Sequence, residues 1–204
     1  DNTVFNSTNK NLWNGKNRLK IVTHHWGANW NKGFEIYQLL DEYLEDDDFR
    51  SKFSFTYIGN LPNKFRFKNT RLVEPLSGSI LADEIRKNDV YLTASLNEPS
   101  GNHHIEGAQC GLPILFIDSG GVSEYCKEFG VMFNKYNLKE KLDEIFLNYS
   151  SYKEKMNSYP NNSDIMCKNY MDIFENLIEE KKDLMKNRKT PNLINLFEKL
   201  IYLN

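Results

Sequence analysis

Two glutamates, Glu98 and Glu106, bracket the segment Ser100-Gly101-Asn102, which directly precedes a helical pattern. The free amides and the dipole at the start of that helix would attract an anion such as a diphosphate, and Gly101 would let the backbone approach it closely. The two carboxylates would then accept hydrogen bonds from hydroxyl groups on either side, as a sugar and a ribose offer. Spacing alone leaves the alternative that both glutamates are solvated surface residues.

Two further features could contribute to this chemistry: Lys32, and the adjacent glycines Gly120 and Gly121. Lys32 precedes Gly33 at the start of a helical pattern and would offer a fixed positive charge to phosphate oxygens. The alternative, a solvated lysine at a helix N-terminus, is disfavoured slightly because a cation there opposes the helix dipole. Gly120 and Gly121 predict a turn with positive φ, and Glu124 would cap or enter the next helix.

All four histidines fall in two adjacent pairs, His24-His25 and His103-His104, in segments expected to line one crevice. Adjacent histidines in a strand or helix point in different directions, and no Asp or Cys stands at a metal-ligand spacing. We therefore predict polar or hydrogen-bonded crevice histidines and no metal site. Direct contact with a bound ligand remains an alternative for some of them.

These residues follow segments of continuous apolar sequence, which predict strands, and these segments alternate with helical patterns. Such runs predict a parallel sheet covered on both faces, a Rossmann-like α/β fold with further helices at the C-terminal end. Ligands of such sheets bind beyond the carboxyl ends of the strands, where the candidate residues lie. Strands are predicted at Leu19–Thr23, Phe53–Gly59, Val90–Ser95 and Pro113–Ile117, with short ones in TRLVEPL and GVMF. Helices are predicted at Phe34–Leu44, Ser79–Lys87 (opened by a serine cap), in NHHIEGAQC, at Ser123–Lys127 and in three C-terminal patterns.

The length of 204 residues predicts one core with terminal extensions. We expect a lead-in over 1–18, a Rossmann-like nucleotide-sugar-binding domain over 19–160, and a helical extension over 161–204. A formal charge of −2 gives no reason to expect a nucleic-acid partner.

The cysteines and the two ends of the chain bear on location. Three cysteines without CxxC spacing predict reduced thiols in the cytoplasm, and we expect no signal peptide and no membrane span. The last helical pattern carries one apolar face, formed by Leu193, Ile194, Phe197, Leu200 and Ile201. That face predicts core packing, with peripheral membrane contact as the alternative because Lys186, Arg188 and Lys189 are nearby.

The stretch ASLNEPSGNHHIEGAQCGLPILFIDSGGVSE resembles the E-x7-E block of the retaining GT-B glycosyltransferases, the glycosyl transferases group 1 family. That block has a strand, E-P/G-x-G-x-x-x-x-E, a helix of small residues, G-x-P-[VI] and G-G-x-x-E. NKGF, FTYIGN and PLSGSILADEIRKNDVYL extend the resemblance over roughly 19–135, and DNTVFN resembles the start of that family's second Rossmann domain. The resemblance implies the C-terminal, donor-binding domain.

The resemblance also implies roles for single residues. Glu98 would hold hydroxyls of the donor sugar and act with Lys32 in catalysis, Glu106 would hold the ribose, and Lys32 with the amides of 101–103 would bind the diphosphate. Base contacts would come from Gly59–Asn60 and Arg71–Val73. The expected donor-binding residues are Glu106, Gly101, Asn102, His103, Ser100, Gly59, Asn60 and Leu72. Further expected crevice residues are His24, His25, Asn29, Gly120, Gly121 and Glu124.

The implied function is transfer of a sugar from a nucleotide-diphosphate sugar to an acceptor with retention of configuration. No cofactor or metal is expected, because a lysine, usually an arginine, and backbone amides neutralise the diphosphate. The expected partner is an N-terminal Rossmann domain that binds the acceptor, so this chain alone would bind donor and transfer poorly. The alternative is a non-catalytic nucleotide-sugar-binding or interaction module.

One position departs from the family pattern. The family usually places an arginine about five residues before the lysine, and Gly27 stands at that spacing here. Either a histidine or Asn29 substitutes for it, or another residue such as Arg71 reaches the phosphates.

Overall fold

The computed structural model describes residues 1–187. Two compact units divide the chain, Asp1–Ser163 and the residues from Asp164 onward. The predicted apolar face between Leu193 and Ile201, with Arg188 and Lys189, lies outside the described residues.

The first unit is built on a six-stranded parallel sheet in the order β3-β2-β1-β4-β5-β6. Its strands are β1 (Leu19–His25), β2 (Phe53–Gly59), β3 (Arg71–Val73), β4 (Val90–Thr93), β5 (Ile114–Ile117) and β6 (Gly130–Phe133). β1 pairs with both β2 and β4, so the strand order reverses there and a crevice opens beyond the carboxyl ends of β1 and β4. The predicted α/β class with a parallel sheet is confirmed.

Seven α-helices follow or connect the strands of the first unit. They are α1 (Phe34–Tyr43), α2 (Asp47–Lys52), α3 (Gly78–Arg86), α4 (Asn102–Gln109), α5 (Val122–Cys126), α6 (Leu138–Leu147) and α7 (Tyr149–Lys155). Beyond them lie α8 (Ser163–Glu179), which begins at the last residue of this unit, and α9 (Lys181–Asn187). Within residues 1–187, no helix is long and apolar enough to cross a membrane.

Two helix starts differ from the sequence-based expectation. α2 was not predicted; its cap is Asp46, whose carboxylate accepts a hydrogen bond from the Phe49 amide at 2.8 Å. The serine cap expected at Ser79 is wrong, because α3 begins one residue earlier, at Gly78. Gly78 has a φ of +56° and turns the chain into the helix, while Ser77 before it makes no side-chain capping bond.

The core lies on both faces of the sheet, which explains why the strands are apolar without alternation. Ile21 and Leu92 pack with α1, α2, α6 and α7 on one face, whereas the adjacent Val22 and Tyr91 pack with α3, α4 and α5 on the other. Successive side chains of a strand point to opposite faces, so each strand serves both halves of the core.

A close contact sets the distance between α4 and the sheet. A Cβ atom placed on Gly107 would lie 2.3 Å from Cδ2 of Tyr91, whose side chain is fully buried. Only glycine therefore lets α4 approach this tyrosine ring.

We predict that Gly107→Ala destabilises the protein. In a helix interior, replacing glycine by alanine is ordinarily stabilising by roughly 0.5–1 kcal/mol, whereas an overpacked core loses about 1–3 kcal/mol. The expected change in the free energy of unfolding is thus opposite in sign to the ordinary effect. Urea denaturation followed by circular dichroism measures it, and a stabilised Gly107→Ala variant would show that α4 is not held against Tyr91.

Candidate functional site

A cavity of about 360 Å³ lies at the carboxyl end of the sheet. The ends of β1 and β2, the segment that leads into α3, and the first residues of α4 form its walls. Of the residues predicted to bind a donor or line the crevice, the cavity walls contain His24, His25, Lys32, Gly59, Asn102, His103 and Glu106.

The loop between β4 and α4 places Glu98 and Gly101. Gly101 is buried between the His103 ring and the Glu98 side chain. The Gly121 amide donates a hydrogen bond to the Glu98 carbonyl at 2.8 Å. A Cβ on Gly120 would lie 2.2 Å from the same carbonyl oxygen, and its φ is +63°. Gly120 and Gly121 therefore support the Glu98 backbone.

Lys32 and Glu98 form an ion pair at the edge of this cavity. Lys32 ends a single 3₁₀ turn, Trp30–Lys32, and its Nζ donates to Glu98 Oε2 at 2.7 Å. The Glu98 side chain is 14% exposed and that of Lys32 27%, so water screens the pair only in part. This contact joins the β1–α1 loop to the β4–α4 loop.

His24 connects the sheet to Glu106. Its Nε2 lies 2.9 Å from Glu106 Oε2, and its Nδ1 lies 2.9 Å from the Tyr91 hydroxyl. The same hydroxyl accepts a hydrogen bond from the His24 amide at 3.2 Å. Glu106 is half-buried and faces the cavity, so its carboxylate is held from one side by His24.

His25 and His103 lie deeper and have neutral partners. His25 Nε2 is 2.7 Å from the Tyr37 hydroxyl, and His103 Nε2 is 2.8 Å from Thr93 Oγ1. Burial lowers the pKa of both imidazoles well below the ordinary histidine value, and the neighbouring histidines and Lys32 lower it further. Both rings are therefore neutral at pH 7.

His104 differs from the other three histidines. Its side chain is fully buried, and within the described chain neither ring nitrogen has a hydrogen-bond partner. Burial lowers its pKa to about 4. The ring packs edge-on against His103, with centroids 4.9 Å apart, and lies beside Tyr125.

The remaining predicted residues lie around these groups. Asn60 donates its side-chain amide to the Trp26 carbonyl at 2.8 Å, and Ser100 Oγ lies 3.2 Å from the Tyr125 hydroxyl. Leu72 is 45% exposed on β3, outside the cavity walls. Asn29 is exposed before the 3₁₀ turn, and Glu124 is exposed in the first turn of α5.

Arg71 does not take the place of the family's arginine. Its guanidinium is paired with Glu84 of α3, and Arg71 is not part of the cavity wall. The aliphatic part of Lys32 passes beside Gly27 instead, since a Cβ on Gly27 would lie 3.8 Å from Lys32 Cε. Among residues 1–187, Lys32 is the lysine or arginine that lines this cavity.

Sequence reasoning missed several residues of the cavity wall. Trp26 is 74% exposed at its rim, Ser77 and Gly78 bring the start of α3 to it, and Phe5 of the lead-in also lines it. The PLSGS and DNTVFN segments match motifs of the family, but a motif match does not say which side chains line the cavity. Trp26 carried a signal in its position, directly after β1.

No three or more His, Cys, Asp or Glu side chains of residues 1–187 are grouped so that they could hold a metal ion. The histidine nitrogens of His24, His25 and His103 are instead close to a carboxylate or a hydroxyl group.

Solved structures of known proteins share this architecture. TarM is 13% identical to this chain with a TM-score of 0.61, and the alignment covers 84% of this chain and 37% of the TarM chain. The C-terminal domain of LpcC, a glycosyl transferase group 1 family protein from Francisella tularensis, is 14% identical with a TM-score of 0.58, covering 78% and 93%. The catalytic domain of starch synthase IV from Arabidopsis thaliana, bound to ADP and acarbose, is 13% identical with a TM-score of 0.60, covering 87% and 41%.

The fold is that of the C-terminal domain of GT-B glycosyltransferases. At these identities the similarity establishes the fold alone. No known protein-family model matches the sequence, and no curated protein matches it. The chain spans 37% of TarM and 41% of the starch synthase chain, and nearly all of the isolated LpcC domain.

We predict that the buried histidines make the protein less stable in acid. A histidine whose pKa is lowered by folding takes up its proton first in the unfolded chain, so stability falls as pH drops below about 6.5. For His104 this loss of folding stability continues until the pH reaches about 4, the pKa of its buried imidazole.

His104→Leu tests this contribution, because it removes an imidazole whose nitrogens have no hydrogen-bond partner among residues 1–187. Between pH 7.5 and pH 5 the variant should lose about 2 kcal/mol less unfolding free energy than the wild type. Urea titrations at both pH values measure the difference. Equal losses in the two proteins would contradict a neutral, buried His104.

Proposed function

We propose that the chain binds a nucleotide-diphosphate sugar in this cavity, as the donor-binding half of a retaining glycosyltransferase. The observation that carries the proposal is that Lys32, which is paired with Glu98, lines the same cavity as Asn102, His103 and Glu106 of α4. The GT-B fold and the ADP in the starch synthase structure support it.

The diphosphate lies between Lys32 and the start of α4. A lysine ammonium has three N–H donors, and Glu98 uses one of them, so two remain for phosphate oxygens. The first amides of a helix have no partner within it, and they add donors and a favourable dipole. Ser77 and Gly78 bring the N-terminus of α3 to the same cavity. These groups replace the arginine that Gly27 cannot supply.

The sugar and the nucleoside occupy opposite sides of the diphosphate. Glu98 accepts hydrogen bonds from sugar hydroxyls, and Glu106 accepts them from the ribose. The base lies toward Gly59 and Asn60, at the end of β2. Of these candidates Gly59 is best placed, because it lines the cavity, whereas Asn60 beside it and Leu72 on β3 lie outside the cavity wall.

In the transfer step, the bond from the anomeric carbon to the diphosphate breaks and a bond to the acceptor oxygen forms on the same face. The acceptor proton passes to the leaving diphosphate. Lys32 and the α4 amides lower the barrier because they stabilise the negative charge that grows on that leaving group. The acceptor is bound by an N-terminal Rossmann-like domain, consistent with the greater length of TarM and the starch synthase chain. Without it the chain binds donor and transfers slowly.

A non-catalytic nucleotide-sugar-binding module is the second candidate. It is favoured by Gly27, because loss of the usual arginine removes one stabilising charge from the leaving group. Release of nucleoside diphosphate from a bound donor, in the presence of acceptor and the partner domain, separates the two candidates.

The site of action is the cytoplasm. The cysteines of the described residues are unpaired, and burial raises the pKa of the Cys110 and Cys126 thiols to about 12. Such thiols are inert, and unpaired cysteines are typical of proteins in a reducing compartment, which supports this proposal. Peripheral membrane contact stays a proposal for the last predicted helix.

We predict that isothermal titration calorimetry with UDP-, GDP- and ADP-sugars detects one preferred donor. Glu106→Ala and Lys32→Met should each weaken its binding by about 10-fold or more, because each removes a charge-assisted hydrogen bond. Glu128→Ala and Lys127→Met are matched controls at exposed positions outside the cavity wall and should bind like the wild type. Failure of all three nucleotide classes to bind at millimolar concentration would refute the proposal.

We also predict that donor binding does not depend on a divalent cation. The dissociation constant should stay within about twofold after dialysis against EDTA and after addition of Mg²⁺ or Mn²⁺, because lysine and amides neutralise the diphosphate. A loss of binding in EDTA that Mn²⁺ restores would contradict this.

A further inference from the structure

Three hydrogen-bonded side chains connect the middle of the sheet to the cavity: Tyr91 on β4, His24 on β1 and Glu106 on α4. Val22 pairs with Tyr91 across the two strands, and His24 lies two residues beyond Val22 on the same face. The strand register therefore brings the tyrosine hydroxyl beneath the imidazole. The contact of the Tyr91 ring with Gly107 places α4, and with it Glu106, against the same pair.

The donor and acceptor roles along Tyr91, His24 and Glu106 follow from what each group contacts. Burial raises the pKa of Tyr91 well above its usual value, so the side chain stays a phenol. Its oxygen accepts a hydrogen bond from the His24 amide, and the same hydroxyl lies 2.9 Å from His24 Nδ1. A carboxylate only accepts hydrogen bonds, so the contact between His24 Nε2 and Glu106 Oε2 is a donation from the imidazole.

This donation orients the carboxylate. A glutamate on the exposed side of a helix samples several rotamers, and ordering it costs side-chain entropy. The His24 bond holds one oxygen of Glu106 on the sheet side, which leaves the second oxygen and the remaining lone pairs for groups in the cavity. A vicinal diol matches such an oriented pair of acceptors.

We propose that Tyr91 and His24 are positioning residues that hold Glu106 ready for the two ribose hydroxyls and so set the preference for ribonucleotides. The inference rests on the proposed function, in which Glu106 binds the ribose. Neither Tyr91 nor His24 takes part in sugar transfer; they act through Glu106.

The test compares each nucleotide with its 2′,3′-dideoxy form. Calorimetry uses whichever of UDP, ADP and GDP binds the wild type most tightly, and the dideoxy form of that nucleotide. The variants are His24→Ala, His24→Gln, Tyr91→Phe and Glu106→Ala, each with its melting temperature measured to show that it is folded. His24→Gln keeps an N–H donor, and Tyr91→Phe keeps the ring that packs on Gly107.

We expect the wild type to bind the ribonucleotide at least about 10-fold more tightly than the dideoxy form. The dideoxy form lacks the hydroxyls that hydrogen-bond to the charged Glu106, and such bonds contribute strongly to affinity. His24→Ala should weaken ribonucleotide binding by about 10-fold and leave dideoxynucleotide binding within about twofold. Tyr91→Phe should act in the same direction and less strongly, and His24→Gln should retain most of the preference. In a Glu106→Ala background, His24→Ala should add no further loss, because the two residues act as a unit.

Three results would overturn the inference while leaving donor binding intact. His24→Ala could weaken the binding of both nucleotides equally, as a merely structural residue would, or it could leave the binding of both unchanged. The wild type could also bind both forms equally, which would show that Glu106 does not bind the ribose hydroxyls. A wild type that binds none of the three nucleotides overturns the proposed function itself.

Discussion

The contact between Gly107 and the Tyr91 ring is the constraint on which the site depends. It sets how close α4 lies to the sheet. Two contacts at hydrogen-bonding distance span the same gap, from His24 to Glu106 and from Thr93 to His103. A displacement of α4 by one methyl group would lengthen both, because hydrogen bonds tolerate only a few tenths of an ångström. The geometry of the carboxylate and the start of the helix thus follow from one packing contact.

The polar side chains around the cavity are paired with one another. Lys32 faces Glu98, and His24 donates to Glu106, so each carboxylate has a partner from β1 or the loop that follows it. This arrangement keeps half-buried charges from being isolated, which would be costly. An anionic ligand with hydroxyl groups offers both sides a replacement: oxygens for the lysine and donors for the carboxylates. In the proposed function, the β1–α1 loop is therefore the part of the site that would respond most directly to the donor.

Local patterns predicted most of the fold. Apolar runs at β1, β4 and β5 marked buried strands, and the helical start after Gly101 was found within one residue. Two helix starts were not predicted correctly, and each depends on local features. α2 depends on the Asp46 cap, and α3 starts through the backbone conformation of Gly78 rather than through a serine side chain. Both features involve only a few residues, too few for hydrophobic periodicity to detect.

By itself, the sequence determined the parallel α/β class, the segments that meet at the carboxyl ends of the strands, and Glu98, Lys32 and Glu106 as candidate ligand-binding residues. These follow from residue type and order, which act locally. Only the tertiary structure decided that His24 contacts Glu106 and Tyr91 and that Arg71 pairs with Glu84. It also buries His104 with no hydrogen-bond partner for its ring nitrogens in the described part of the chain. Those outcomes depend on strand register and on the approach of α4 to the sheet, which join residues as many as 82 positions apart. No local pattern encodes such distances, because they arise only when the whole sheet and its helices pack together.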